Sequence, residues 1–357
     1  MAPLITRRRL LLASLLGCVT PAWSKTSDPA KLRLAAAWND EHGHRIGLLQ
    51  RLENGMAPLA SIEVPTRAHG VLVQADGSLL AVARRPGDWL VRWHPTQTEP
   101  RWTWAEPDRA FNGHVVATRD GRRLLTTETD LDTGQSLIGV WDARSMEKQT
   151  EWQTHGIDAH MMLLDGDTLL VANGGVPTQP ETGRSKRNLH TMDSSLVRLH
   201  GQSGALLGQW RLPDRRLSLR HMARNSSRVG IALQAEHDAK AERDAAPVLA
   251  IFDGDKLTLA EPVPAPGCAG YAGDIASLLD GFAVSAPRAN AILRWRPNDG
   301  WQAPLPLQEG CAIASVRGRR LWAGGSAKVL GVESDSQVSL VLRPSLRLDN
   351  HLVLAAG

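Results

Sequence analysis

The feature that most constrains this chain is a run of strand, tight polar turn and strand that recurs along most of its length. From His69 it reads HGVLVQADGSLLAVARRPGDWLVRWHP: an apolar strand, an Asp-Gly turn, a second apolar strand, a loop and a third, alternating strand. From His114 comes HVVATRDGRRLLTTETD and then SLIGVWDARS; from His160 comes HMMLLDGDTLLVANGG and then SSLVRLHGQSG. Each is a β-hairpin signal, and the steps of 45 and 46 residues between them match propeller blades of about four strands. Weaker copies open at His221 (HMARNSSRVGIALQ), Asp274 (DIASLLDGFAVSAPR) and Cys311 (CAIASVRGRRLWAGG).

The ends complete the count. DNHLVLAAG from Asp349 reads as the first strand of a unit whose other strands are missing, whereas LRLAAAWND, HRIGLLQ and PLASIEV read as a unit lacking its first strand. Joining them predicts an all-β, seven-bladed β-propeller, with the C-terminal strand closing the first blade and no free sheet edge. Twelve Trp beside one Tyr and three Phe fit this fold, because RWTWAE, TEWQTH and GQWRLP put indoles on outer strands, where a large ring packs between units. The charged stretch AEHDAKAERDAAP from Ala235 has the only helical period and reads as an exposed loop; residues 174–193 form a second long insertion.

Before the repeats, TRRRLLL from Thr6 precedes an apolar stretch reaching Val19, the pattern of a twin-arginine signal. Cleavage before Lys25 is expected, giving a signal at residues 1–24 and a propeller domain at 25–357; a rival reading is a lipoprotein box ending at Cys18. No later segment reaches the roughly 18 apolar residues of a membrane-spanning helix. Loss of the signal's three arginines leaves 38 basic residues against 37 acidic ones, so the balance gives no footprint for nucleic acid or anionic lipid. A monomer is expected. In an oxidising compartment, Cys268 and Cys311 are either one disulfide or two buried thiols.

The chain resembles a bacterial family of twin-arginine-exported propellers encoded beside imelysin-type periplasmic iron-uptake proteins. The resemblance rests on ARRPGD from Ala83, TTETD from Thr126, IGVWDA from Ile138, THGIDAH from Thr154, VANGG from Val171, GRSKRNLHTM from Gly183, SLRHMA from Ser218, GYAG from Gly270 and DNHL from Asp349. It implies a fold similar to YVTN-repeat and quinoprotein propellers, a periplasmic address and imelysin-type partners, with no quinone-forming residue pair and no established activity.

In a propeller the first strand of every blade lines the channel. Aligned on their turns, the units put His69, His114, His160, His221, Asp274, Cys311 and His351 at equivalent places, as a ring at one mouth. Imidazole suits iron, copper, zinc or nickel, and carboxylate or thiolate tunes the choice. The alternative is that these histidines only tie neighbouring blades together. Arg84, Arg85, Arg184, Lys186, Arg187, Asn188 and Arg220 form a second set, fit for an anion such as a carboxylate iron chelate, or else solvated loop charge with Arg220 as a structural tie. Glu128, Asp130 and Asp132 lack the glycine and closing glutamate of a calcium loop and read as an exposed acidic turn; Ser194 and Ser195 read as structural.

No nucleophile elbow, phosphate loop, zinc-protease motif or haem-attachment motif occurs, so no catalytic residue is assigned. The expected function is non-enzymatic binding or scaffolding in the handling of iron or another transition metal. Two alternatives stand beside it: a channel-mouth enzyme, lactonase-like or a metal-dependent oxidoreductase, and a protein-interaction platform.

Overall fold

A computed structural model of the protein describes residues 32–176, 189–264, 267–333, 336–343 and 346–355. The segment expected to direct export, with Cys18, and Arg184, Lys186, Arg187 and Asn188 lie outside the described residues.

The chain begins with β1 (Arg33–Asp40), β2 (Gly43–Leu52) and β3 (Gly55–Glu63). Four antiparallel groups follow. They are β4 (Ala68–Val73), β5 (Leu79–Ala83), β6 (Trp89–Trp93), β7 (Arg101–Trp104); β8 (Arg109–Ala117), β9 (Arg123–Asp130), β10 (Ser136–Asp142), β11 (Lys148–Gln153); β12 (Ala159–Asp165), β13 (Thr168–Asn173), β14 (Ser195–His200), β15 (Leu206–Trp210); and β16 (Leu217–Arg224), β17 (Val229–Ala235), β18 (Leu249–Phe252), β19 (Leu257–Leu259). A five-stranded group has β20 (Ile275–Leu278), β21 (Gly281–Ala286), β22 (Ala291–Arg296) and β23 (Gly300–Trp301), with β24 (Leu305–Pro306) also on β22. The chain ends with β25 (Ala312–Val316), β26 (Arg320–Gly324), β27 (Lys328–Glu333), β28 (Ser336–Leu342) and β29 (Arg347–Ala355).

β29 returns to the start of the chain and pairs antiparallel with β1 from Arg33↔Ala355 to Asn39↔Arg347, as the sequence of the two ends predicts. The repeat also predicts separate four-stranded units here. Instead, β29-β1-β2-β3 and β25-β26-β27-β28 are stitched into one closed eight-stranded path, by parallel pairing of Ile313 with His351 and of Val341 and Leu342 with Gly55 and Met56.

The cores lie between neighbouring sheets, not within one. Leu170, Ala172 and Leu196 of β13 and β14 pack on Leu219, Ile231 and Leu233 of β16 and β17, and Leu249 and Ile251 of β18 pack with Phe282 and Val284 of β21. Each fully buried side chain of this size contributes about 1.5–3 kcal/mol, so sheet-to-sheet burial holds the circle together. The innermost strands touch in the cyclic order β4, β8, β12, β16, β20, β25, β29 and back to β4. Sheets packed face to face around an axis lined by their first strands make a β-propeller.

Two local expectations are corrected. Ala235–Pro247 is not wholly loop, because Lys240–Ala245 forms a short exposed α-helix. Glu128 is no exposed turn: it lies within β9, 1% exposed, paired with Lys148, while Asp130 caps the following turn by accepting from the amides of Asp132 and Thr133. Of the two alternatives for Cys268 and Cys311, the structure has the free thiols.

Candidate metal centre

Five histidines reach the axis through breaks in the strand ladders. β4 pairs with β5 at Ala68 and again at Val71, which takes His69 and Gly70 out of register. The same irregularity covers Asn112 to His114 in β8, His160 in β12, Arg220 and His221 in β16, and Asp349 to His351 in β29. A bulge opposes extra residues to one partner and re-aims their side chains, so each imidazole leaves the face alternation and turns inward. One glycine is required for this crowding. Gly113 has φ +100°, and a Cβ there would stand 2.8 Å from Cδ2 of His69.

The five rings form one bundle. The His69 ring centroid lies 4.9 Å from that of His114, 5.6 Å from His160, 5.5 Å from His221 and 4.7 Å from His351. His221 is 4.6 Å from His160 and 4.5 Å from His351. One ligand atom from each of His69, His114, His160 and His221 fits within a 4.8 Å spread, and so does one from each of His221, Asp274 and His351. The Nε2 atom of His221 is 2.9 Å from Nε2 of His160 and 3.4 Å from Nε2 of His69. Two imidazole nitrogens bound at about 2.1 Å to one ion are about 3.0 Å apart at a right angle and about 3.4 Å apart at the tetrahedral angle. The spacings fit a shared cation, and the 2.9 Å contact equally fits an N–H···N hydrogen bond that ties β12 to β16.

Electrostatics favour ligation too. Burial pushes His69 down to about 3, with neighbouring His351 adding to the shift, although Asp349 opposes it. Burial and then repulsion from the other imidazoles hold His114, His160 and His221 well below the usual histidine range. All four are neutral at pH 7, the form that donates a lone pair to a metal. Nδ1 of His69, His160 and His221 and Nε2 of His114 and His351 are buried with no hydrogen-bond partner among the described residues. On His114 and His351 the unpartnered atom is Nε2, whereas on His69, His160 and His221 it is Nδ1, the nitrogen opposite the converging Nε2 atoms, so an ion held on Nε2 leaves those three Nδ1 atoms as they are. His351 differs: burial works against its charge, but the Asp274 carboxylate, 3.2 Å from Nδ1, raises it above the usual value. Asp274 also accepts from the amides of Ile275 and Ile313, which fixes its orientation.

Of the seven ring positions, the structure gathers the five histidines and Asp274 at the axis. Cys311 stands apart: its Sγ lies 3.5–3.6 Å from the carbonyls of Gly324, Leu348 and Asp349, the acceptors within reach of its single S–H, and burial pushes it up to about 12. It therefore stays a protonated thiol, bonded to backbone instead of joining the ligand set. Among the second set, Arg84, Arg85 and Arg220 line a cavity of about 30 Å³ that also touches His69, His160 and His221. Arg85 and Arg220 share the buried carboxylate of Asp158, Arg220 Nη1 at 2.9 Å. A recess of about 480 Å³ adjoins, sharing Arg84, Tyr271 and Asn350 with the cavity and adding Arg67, Arg288 and Arg347. Ser194 and Ser195 are structural: Ser194 donates to the Asn173 carbonyl and accepts from the Leu219 amide, and Ser195 accepts from Asn173 and Gln209.

Sequence reasoning missed Asp158 and Asp349, the carboxylates that anchor this mouth. Asp349 pairs with Arg67 and lies 4.0 Å from Nδ1 of His69. A signal existed, because a polar residue two positions before the histidine recurs as Arg67, Asn112, Asp158 and Asp349.

Residues 62–355 match the sequence profile of a family described as "Protein of unknown function (DUF1513)". Among solved structures, the chain is similar to hydrazine synthase of Kuenenia stuttgartiensis (TM-score 0.64, 13% identity, covering 89% of this chain and 99% of that one). It is also similar to virginiamycin B lyase from Staphylococcus aureus (TM-score 0.56, 13% identity, 90% and 97%) and to a functionally unknown protein from Desulfotomaculum acetoxidans (TM-score 0.57, 11% identity, 91% and 99%). At such identities the likeness concerns the fold. No curated protein matches the sequence.

Proposed function

The chain belongs to the DUF1513 family, and from its buried histidine bundle we propose a periplasmic propeller that holds a transition-metal ion at the channel axis and serves metal handling as a non-enzymatic binding protein. The observation that carries this reading is the bundle itself: neutral buried imidazoles with Nε2 atoms 2.9 and 3.4 Å apart. Imidazole-only ligation suits iron, copper, zinc or nickel. Asp274, held against His351, supplies one carboxylate at the edge of the set.

The fold in this reading has seven blades, with β29 completing the first. Its support is the cyclic contact order of the seven innermost strands, and the thin parallel stitching inside the eight-stranded path, which divides into two antiparallel sets of four. Export by the twin-arginine route and partnership with imelysin-type iron-uptake proteins belong to the same reading, supported by TRRRLLL and by the motif series from ARRPGD to DNHL.

The test is metal analysis of protein purified from the periplasm without chelator, followed by titration of metal-free protein with ferrous, ferric and cupric ions. Bound metal, or saturable uptake that is lost in a His160→Ala/His221→Ala variant, is expected. Protein that is folded yet shows neither bound metal nor measurable affinity contradicts the reading.

A further inference from the structure

A buried guanidinium beside the histidine bundle keeps part of its donor fork unused. Arg220 is 1% exposed; its Nη1 donates to Asp158, while Nε and Nη2 are buried with no hydrogen-bond partner among the described residues. Asp158 pairs with both Arg220 and Arg85, and the buried Glu236 adds negative charge near Arg220 without taking up Nε or Nη2. Among the described residues, the cavity in front of them is lined by Arg84, Arg85 and Arg220 and by no aspartate or glutamate, and its other wall is His69, His160 and His221. Space for the ion pair is set by Gly174, where a Cβ would stand 2.6 Å from Asp158 Oδ2 and 2.9 Å from Arg220 Nη1.

Leaving a charge buried and incompletely paired costs several kcal/mol, and a guanidinium fork matches an oxyanion through two parallel N–H donors. We propose that this cavity binds a small oxyanion, a carboxylate or an inorganic oxyanion, seated between Arg220 and the ion held by the histidines. The proposal rests on the metal reading above and adds its exogenous ligand. A cavity of about 30 Å³ takes one oxyanion head. The recess of about 480 Å³ receives the remainder of a larger anion, since Arg67, Arg84, Arg288 and Arg347 face it with Glu309 as the only carboxylate among its lining residues.

The experiment loads the full chain with Co²⁺, measures the cobalt content, and titrates with inorganic phosphate and separately with succinate while following the visible cobalt spectrum. A saturable change with either anion supports the proposal, and the anion that produces it identifies the source. Arg220→Gln is expected to weaken that binding about tenfold to a hundredfold with cobalt content unchanged, because it removes charge-assisted hydrogen bonds. Should this variant not fold, Arg84→Gln, which alters the same cavity wall, gives the same readout. Cobalt-loaded protein that responds to neither anion overturns the oxyanion site and leaves the metal reading standing. Failure to take up cobalt or any other transition-metal ion overturns both.

Discussion

Two of the buried polar groups in this protein, one around Glu128 and Lys148 and one around the five histidines, differ in what their atoms touch. Glu128 accepts from Thr126, from Trp141 Nε1 at 3.2 Å and from Lys148 Nζ at 2.8 Å. Lys148 also contacts Glu106 and Glu151, and Glu151 takes both Nε and Nη2 of Arg109 at 2.9 and 3.1 Å. Every charge there has an opposite charge and a hydrogen bond. The histidine bundle contains similar burial but leaves a ring nitrogen of each imidazole with no hydrogen bond among the described residues. A saturated polar network serves the fold, whereas an unsaturated one stands ready for a ligand.

The largest effect should come from breaking the saturated group. Lys148→Met leaves Glu128 buried with its principal cation gone, and a loss of about 3–5 kcal/mol is expected from urea denaturation. His114→Leu, in metal-free protein, should change stability by less than about 1 kcal/mol because it removes a group with an orphaned nitrogen. If the two variants lost comparable stability, the comparison would fail.

Gly113→Ala comes next. A non-glycine residue at φ +100°, with its Cβ against His69, is expected to cost about 1–3 kcal/mol and to lower metal affinity by displacing that ring. Thermal denaturation and metal titration of one sample measure both.

Acid sharpens the contrast further. In the unfolded chain the histidines protonate near 6.5, but His69, held at about 3, and His114, His160 and His221, held well below normal, do not in the fold. Between those values the unfolded state binds more protons. The stability these four permit is therefore fully present above about pH 6.5 and falls as the pH drops, by at most about 1.4 kcal/mol per group per pH unit. His351, raised, works in the opposite sense, stabilising at low pH and losing that contribution as the pH rises through its folded value. Metal-free protein should lose stability steeply from pH 6.5 to 5 in denaturant titrations, and His114→Leu should flatten the slope. The smallest effect belongs to the exposed Lys240–Asp244 pair, where Asp244→Ala should cost less than about 0.5 kcal/mol.

The turns and the strand period made the unit order readable, and the apolar pattern of HLVL made the return of β29 to β1 readable, because both depend on local chemistry. Inward-facing histidines were legible as a recurring position. The bulges that aim them were not, since a ladder irregularity depends on the partner strand. Depth was also hidden: Glu128 reads as polar turn chemistry until β10 and β11 cover it. Cys311 shares the ring's sequence position, yet its thiol turns to the carbonyls of Leu348 and Asp349. Asp158 sits two residues before His160, but that it joins Arg85 and Arg220 is decided by contacts 73 and 62 residues apart.

X-ray absorption at the edge of whatever transition metal accompanies the chelator-free, full-length protein tests the central claim most directly. Nitrogen ligands at about 2.0–2.1 Å with the multiple-scattering signature of several imidazoles are expected, and their loss in the His160→Ala/His221→Ala variant. Folded protein that carries no such metal and takes none up, or a metal whose shell is unchanged in that variant, would contradict it.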